Sequence, residues 1–357
     1  MYQRIELENL RGIDHLSCDG LRRINLIVGK NNAGKTTLLE GFFLLGGATN
    51  PFAATILGQL RGQQLGKVSP DPLWRPLFRG MDPRFPIRIA GNWTPEQANR
   101  MLEIEAVRVE RFADSPDSSA TCAGQAAVTQ DFAIGGLRMK YRPAGRPEIV
   151  TTATFDPSRG AIDAASKDRN DFVKTTFLSA RAYSSIMHDA RQFSYLLKVK
   201  REQDVLDALR LIEPRIERIE VISDPDGSNV YVDIGLDSLV PLAVCGEGFV
   251  RLFSIVVELA VSRGGVLLID EIDNGLHYSV MDQLWLLLGK LAEKHDVQVI
   301  GTTHNEDLLR SSLRAFKHEP ESLSLLRIDL IDGRHSIVDY DEDSRMAILE
   351  EHFEVRG

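Results

Sequence analysis

Hydrophobic and polar positions alternate at period two from Tyr2 to Glu8, which predicts a strand. Ile24-Asn25-Leu26-Ile27-Val28 is a second, more apolar strand, the kind buried on both faces. It runs directly into Gly29-Lys30-Asn31-Asn32-Ala33-Gly34-Lys35-Thr36-Thr37, and residues 38–45 then read as a helix closed by Gly46-Gly47. From 50 to 95, Gly, Pro and Arg are frequent and no period lasts, so an irregular insertion or mobile loop is expected. Between 102 and 155, short strand-like stretches separated by Ser-Pro-Asp, Gly-Gly and Pro-Ala-Gly turns predict an antiparallel lobe. The pattern becomes helical around Phe177 and again over 204–212, with Val205, Leu206, Leu209 and Ile212 apolar. Further on, 231–236 reads as a strand, 249–261 as a buried helix and 266–269 as a buried strand. An amphipathic helix over 279–292, a buried strand over 297–301, strands over 322–331 and 335–338 and a closing helix complete the series. Strands alternating with helices call for a parallel sheet covered on both faces. No tandem repeat and no long heptad run interrupts it.

Length changes the picture little: 357 residues correspond to about two domains. With 43% apolar and 26% charged residues the chain can bury a sizeable core. Its net charge of −9 argues against a surface that adheres to nucleic acid everywhere, while leaving room for a local basic groove, for example around Arg75, Arg79, Arg84 and Arg88. No apolar run approaches the ~20 residues of a membrane crossing, and the opening residues carry no secretory pattern. Cys18, Cys122 and Cys245 are too dispersed for a zinc site or a disulfide framework. A cytoplasmic protein without a membrane partner is the expectation.

The candidate chemistry begins at Gly29-x4-Gly34-Lys35-Thr36, a phosphate-loop pattern with a buried strand before it and a helix after it. The glycines let the backbone N–H groups of Asn31, Asn32, Ala33, Gly34 and Thr37 curl inward toward phosphates. Lys35 is expected at the β and γ oxygens and the Thr36 hydroxyl on Mg²⁺. Val266-Leu267-Leu268-Ile269-Asp270-Glu271 supplies the second half: Asp270 at the strand end for the metal, and Glu271 one residue further out to polarise the attacking water. Thr302-Thr303-His304-Asn305 ends a third buried strand, where His304 is placed to sense the γ-phosphate.

These three elements, in this order, resemble the ABC-type ATPases. Asp270-Glu271-Ile272-Asp273-Asn274-Gly275-Leu276-His277, Thr302-Thr303-His304-Asn305 and the opening Ile5-Glu6-Leu7-Glu8-Asn9-Leu10-Arg11-Gly12 look like the OLD-like and RecF-like branch of AAA-type ATPases. The resemblance covers about 1–48 and 240–357. It implies an α/β P-loop NTPase, an ABC-type head with a mixed central sheet, an antiparallel β lobe and a helical signature lobe. The corresponding parts are 1–49 with the phosphate loop, 50–176 with insertion and antiparallel lobe, 177–260 with the helical lobe, and 261–357 with the acid pair and His304.

The resemblance also implies that Asn9 and Arg11 turn toward the nucleotide. It implies that Cys245, Gly246, Glu247 and Gly248, with Arg251 nearby, form a signature segment completing a partner's site in trans, and that Asn274 and His277 cross the dimer seam. Cys245 stands where many relatives have Ser, a weaker donor in place of a hydroxyl. Arg181 is a candidate for the Q-loop position. The expected cofactors are ATP and Mg²⁺, and the expected partners are a second copy of the chain and a separate effector.

Three outputs are compatible with such an engine. It could gate a separately encoded effector such as a nuclease in anti-phage defence, because the resemblance implies a Toprim nuclease domain after the ATPase in full-length OLD relatives and only 53 residues follow His304 here, enough for two strands and a closing helix. It could act in DNA repair or recombination as a RecF-like factor binding nucleic acid. It could also be a regulatory subunit with little turnover. The 50–95 segment is the expected partner surface, with Trp74, Leu77 and Phe78 either anchoring that partner or packing on the lobe beneath.

Overall fold

The computed structural model describes residues 1–62, 71–94, 98–110, 132–156, 158–165, 172–180, 186–225 and 227–351. Strands β1 (Tyr2–Leu10), β2 (Ile13–Cys18) and β3 (Ile24–Val28) lead into helix α1 (Lys35–Gly46). Helices α2 (Ala53–Leu60) and α3 (Asp71–Trp74) precede β4 (Ile87–Trp93), β5 (Ala98–Glu110), β6 (Phe132–Arg142), β7 (Ile149–Asp156) and β8 (Ala161–Ala165). Strand β9 (Thr175–Leu178) is followed by α4 (Ile186–Lys198), α5 (Gln203–Leu209), β10 (Arg218–Asp224), β11 (Gly227–Asp233) and β12 (Val240–Pro241). The chain continues with α6 (Glu247–Val261), β13 (Val266–Ile269), α7 (Met281–His295), β14 (Gln298–Thr302), α8 (Glu306–Ala315), β15 (Leu323–Ile331), β16 (Arg334–Asp339) and α9 (Glu342–Glu351).

Two large sheets form. The central sheet runs β16-β15-β3-β14-β13-β9, with every pairing parallel except β15–β16. An antiparallel sheet runs β2-β1-β4-β5-β6-β7-β8. Alternation along the central strands sends Ile27, Val266, Leu268 and Ile300 into a core shared with α1 and the antiparallel sheet. Leu26, Val28, Leu267, Ile269 and Val299 point the other way, toward α6, α7 and α8. Helix α1 is thus enclosed between two sheets, which is why it is apolar nearly all round. Gln298, fully buried, fastens the sheets together: its amide donates to the carbonyls of Tyr2 and Arg22 and accepts from the Tyr2 N–H.

Several expectations change. The segment 50–95 is not uniformly irregular, since it holds α2, α3 and β4, and β4 pairs directly with β1. Trp74, Leu77 and Phe78 are almost wholly buried, so of the two readings they take the second and pack on the lobe. Phe177 lies in β9, an edge strand paired in parallel with β13, and the described helix that follows is α4 (Ile186–Lys198). The strand expected over 231–236 overlaps β11, and β10 and β12 add two further strands to the lobe otherwise expected to be helical. Arg181 and Cys122 lie outside the described residues.

Candidate nucleotide site

Strands β3, β14 and β13 are neighbours in the central sheet, so the segments leaving their carboxyl ends meet. The loop after β3 turns through Gly29 (φ 140°), Asn32 (φ 63°) and Gly34 (φ 102°). A side chain at Gly29 would collide with the Ile328 carbonyl oxygen of β15, so glycine is required there by close approach as well as by φ. Helix α1 starts at Lys35 with no side-chain cap and no acid in its first turn. Its first N–H groups and its dipole are left to an anion. The Lys35 ammonium folds back over the loop, donating to the carbonyls of Gly29 (2.7 Å) and Lys30 (3.0 Å). Burial pushes its pKa below the ordinary lysine value, against the opposing pull of Asp270, Glu271 and Asp273.

The Thr36 hydroxyl lies 3.1 Å from both carboxylate oxygens of Asp270. Thr302, fully buried, donates to Asp270 Oδ1 at 2.7 Å and accepts from the Glu271 N–H at 2.9 Å. One neutral hydroxyl therefore fixes both acids relative to each other. Glu271 has φ 48°, a left-handed conformation that is costly for a residue with a side chain and is held here by its neighbours. A hydroxyl and a carboxylate at this separation, all hard oxygen donors, fit a magnesium ion that takes its other ligands from phosphate and water. Thr36 and Asp270 would hold it. His304 is exposed at the end of the same strand, and Asn305 caps α8 by accepting from the N–H groups of Asp307 and Leu308.

The expected trans segment is ordered around its own chain. Gly246 (φ 100°) precedes α6, and Gly246 and Glu247 are exposed. A Cβ on Gly248 would stand 2.5 Å from the Gly275 carbonyl oxygen, so the start of α6 rests directly on the loop after Glu271. Cys245 is half-buried, with its thiol 3.6 Å from the Pro241 carbonyl, and burial raises its pKa. The Asn274 amide donates to the Ala180 carbonyl (3.2 Å) of its own chain, and the His277 ring meets Ser279 at 2.9 Å.

Three residues depart from expectation. Arg11 spends its guanidinium on Glu40 of α1 and on the Pro76 carbonyl, while the Asn9 amide donates to Pro86. Both thus tie β1 to its surroundings, where an approach to the nucleotide was expected. Arg251 does not face outward. It is drawn in to the carbonyls of Asp270 (2.9 Å), Glu271 (3.3 Å) and Ser179 (3.4 Å), bracing the turn that carries both acids. Burial lowers its pKa, with Asp270, Asp273 and Glu271 opposing.

Sequence reasoning gave no site role to Thr302 or to His335 of β16. The latter's ring would lie 3.4 Å from a Cβ on Gly34, and its buried Nδ1 has no hydrogen-bond partner among the described residues. Only the three-dimensional return of β16 reveals it.

Comparison with known proteins matches this arrangement. A family model described as "AAA domain, putative AbiEii toxin, Type IV TA system" matches residues 145–311, and one described as "AAA domain" matches residues 4–57. Over 330 residues the chain is 24% identical to an ATP/GTP phosphatase of Helicobacter pylori, covering 87% of this chain and 86% of that protein. A 56-residue stretch is 41% identical to an uncharacterised protein of Methanocaldococcus jannaschii, covering 16% of this chain and 26% of the other. Among solved structures, an Smc head bound to the C-winged helix domain of ScpA superposes with a TM-score of 0.52 at 11% identity, covering 97% of this chain and 99% of that one. The chain thus has the fold of an ABC-type P-loop ATPase head, and its sequence is similar to AAA-domain ATPases over residues 4–57 and 145–311, on both sides of the pocket.

Proposed function

We propose that the chain hydrolyses ATP with Mg²⁺, that two copies close around two nucleotides, and that this cycle gates a separately encoded effector. One observation carries the reading: Lys35, Thr36, Asp270, Glu271 and Thr302 converge from the ends of three adjacent strands. Lys35 and the start of α1 would bind the phosphates, and Thr36 with Asp270 would hold the metal. The metal, when bound, neutralises charge on the transferring phosphoryl group. Glu271, fixed through Thr302, would orient a water or take its proton, so that catalysis comes from positioning and electrostatics. His304 would face the γ-phosphate. The name of the Helicobacter pylori relative supports phosphate release from a nucleoside triphosphate.

The exposed stretch Gly246–Glu247 supports closure by a second copy, because it lies at the start of α6, where the helix dipole attracts an anion. The separate effector is supported by the resemblance to the OLD-like branch, and the phrase "Type IV TA system" in the family description suits a defence setting. Glu271→Gln should bind ATP, turn it over slowly and elute as a dimer in gel filtration with Mg·ATP. Elution as a monomer alone would refute the sandwich. ATP turnover that rises on adding DNA would favour the repair reading over the effector reading.

A further inference from the structure

Helix α4 carries a basic outer face on a chain whose net charge is −9. Met187, Arg191, Ser194, Tyr195 and Lys198 recur at the spacing of a single helix face. With Ser228 of β11 they line an open cleft of about 330 Å³. Among the described residues, no carboxylate lines it. Over 186–201 the outward cations are Arg191, Lys198 and Lys200, since His188 meets Glu258 and Arg201 turns to the Ala260 carbonyl and the His295 ring, and the one acid is Asp189. That acid is 1% exposed and points inward, accepting from Ser254 of α6 at 2.6 Å. The arginines singled out elsewhere are neutralised: Arg75 by Asp71, Arg79 by Asp14, Arg84 by Asp82, and Arg88 by Glu8 and Glu103. Arg191 and Lys198 have no ion pair or hydrogen bond among the described residues.

Between the two cations lies Tyr195, 48% exposed, and beside Arg191 lies Met187, 53% exposed. A lone exposed ring on a surface means little. A ring set between unpaired cations about 10 Å apart along a helix offers two different attractions at once. An acidic peptide would satisfy the charges but supplies no obligatory flat partner for the ring, and a duplex hides the faces of its bases. A single strand presents phosphates and open bases together, the combination that positively charged grooves with aromatic side chains recognise.

We propose that this face binds single-stranded nucleic acid, with Arg191 and Lys198 on the phosphate backbone and Tyr195 stacking on a base. The inner side of α4 is anchored to α6 through Asp189–Ser254 and through His188 and Glu258 at 2.7 Å, so the strand meets a supported surface. The proposal does not depend on nucleotide hydrolysis.

Fluorescence anisotropy of the full chain with a labelled single-stranded oligonucleotide of about 20 nucleotides, without ATP, tests it. The double variant Arg191→Glu/Lys198→Glu should bind about tenfold more weakly or worse. Its slope of log affinity against log salt should fall by about 1.4, corresponding to about two phosphate contacts at about 0.7 each. Tyr195→Ala should weaken binding about fivefold or more with the salt slope unchanged. Thermal midpoints close to that of the parent chain show that the variants are folded, as expected for exposed side chains. Absence of binding by the parent chain, or unchanged binding by the charge variant, overturns the proposal. So does equal affinity for the matching duplex with indifference to Tyr195→Ala, which would mark a merely charged surface. Displacement of the strand by polyglutamate at equal charge would assign the face to an acidic protein instead, and displacement by mononucleotide at similar per-unit affinity would assign it to a small ligand.

Discussion

Thr302 carries no charge, yet it sets the relation between two groups that do, one through its hydroxyl hydrogen and the other through its oxygen. Arg251 acts similarly from the opposite side, holding the peptide carbonyls of Asp270 and Glu271 in place. Arg251→Ala should lower kcat about tenfold or more while leaving KM within about threefold, because positioning is lost and binding is not. Arg251→Lys should recover part of the rate, and steady-state ATP hydrolysis reads both. Lys35 gives a pH prediction. Its charged form attracts phosphate, and burial lowers its pKa, so ATP affinity should decline on the alkaline side before the value of about 10.4 at which an exposed lysine titrates. Calorimetric titration across alkaline pH checks this. The unfolded chain binds the proton more tightly at this site, so the Lys35 contribution to stability increases as pH rises between its folded and unfolded pKa values. The phosphate-loop residues and the acid pair were legible because their chemistry demands fixed spacing in one short stretch. The inward turn of Arg251 and the capture of Arg11 by Glu40 were not, because rotamers answer to neighbours brought from elsewhere in the chain.

Among the elements, long apolar or strictly alternating runs were legible: β3 and β13 fall where the pattern places them, as does the body of α6. Short polar strands were not. Strand β9 is Thr-Thr-Phe-Leu, four residues with no period to detect, and it becomes a strand because β13 offers an edge to pair with. Strand β2 has Asp14 and His15 side by side, which breaks the alternation, and it is fixed by its antiparallel register with β1. The start of α6 illustrates a contact that sequence conceals altogether. Gly248 permits the helix to rest on the Gly275 carbonyl, and Gly248→Ala would bring a methyl group to 2.5 Å from that oxygen. The helix start and the loop after Glu271 must then part, at a cost of about 1–3 kcal/mol. A lower thermal midpoint together with reduced ATP turnover is the expected result, and a variant as stable and active as its parent would show that the two segments are not in firm contact.

Across the whole molecule, enclosure of α1 between the two sheets fixes the phosphate end of that helix at the mouth of β3, while β13 and β14 bring the acids to the same place. The central claim is that this convergence makes a hydrolytic site for Mg·ATP. Turnover of ATP by Glu271→Gln, measured beside the parent chain under saturating nucleotide, tests it most directly. A loss of about a hundredfold or more in kcat, with nucleotide binding retained, is predicted for removal of the group that orients water. Undiminished turnover by that variant would contradict the account.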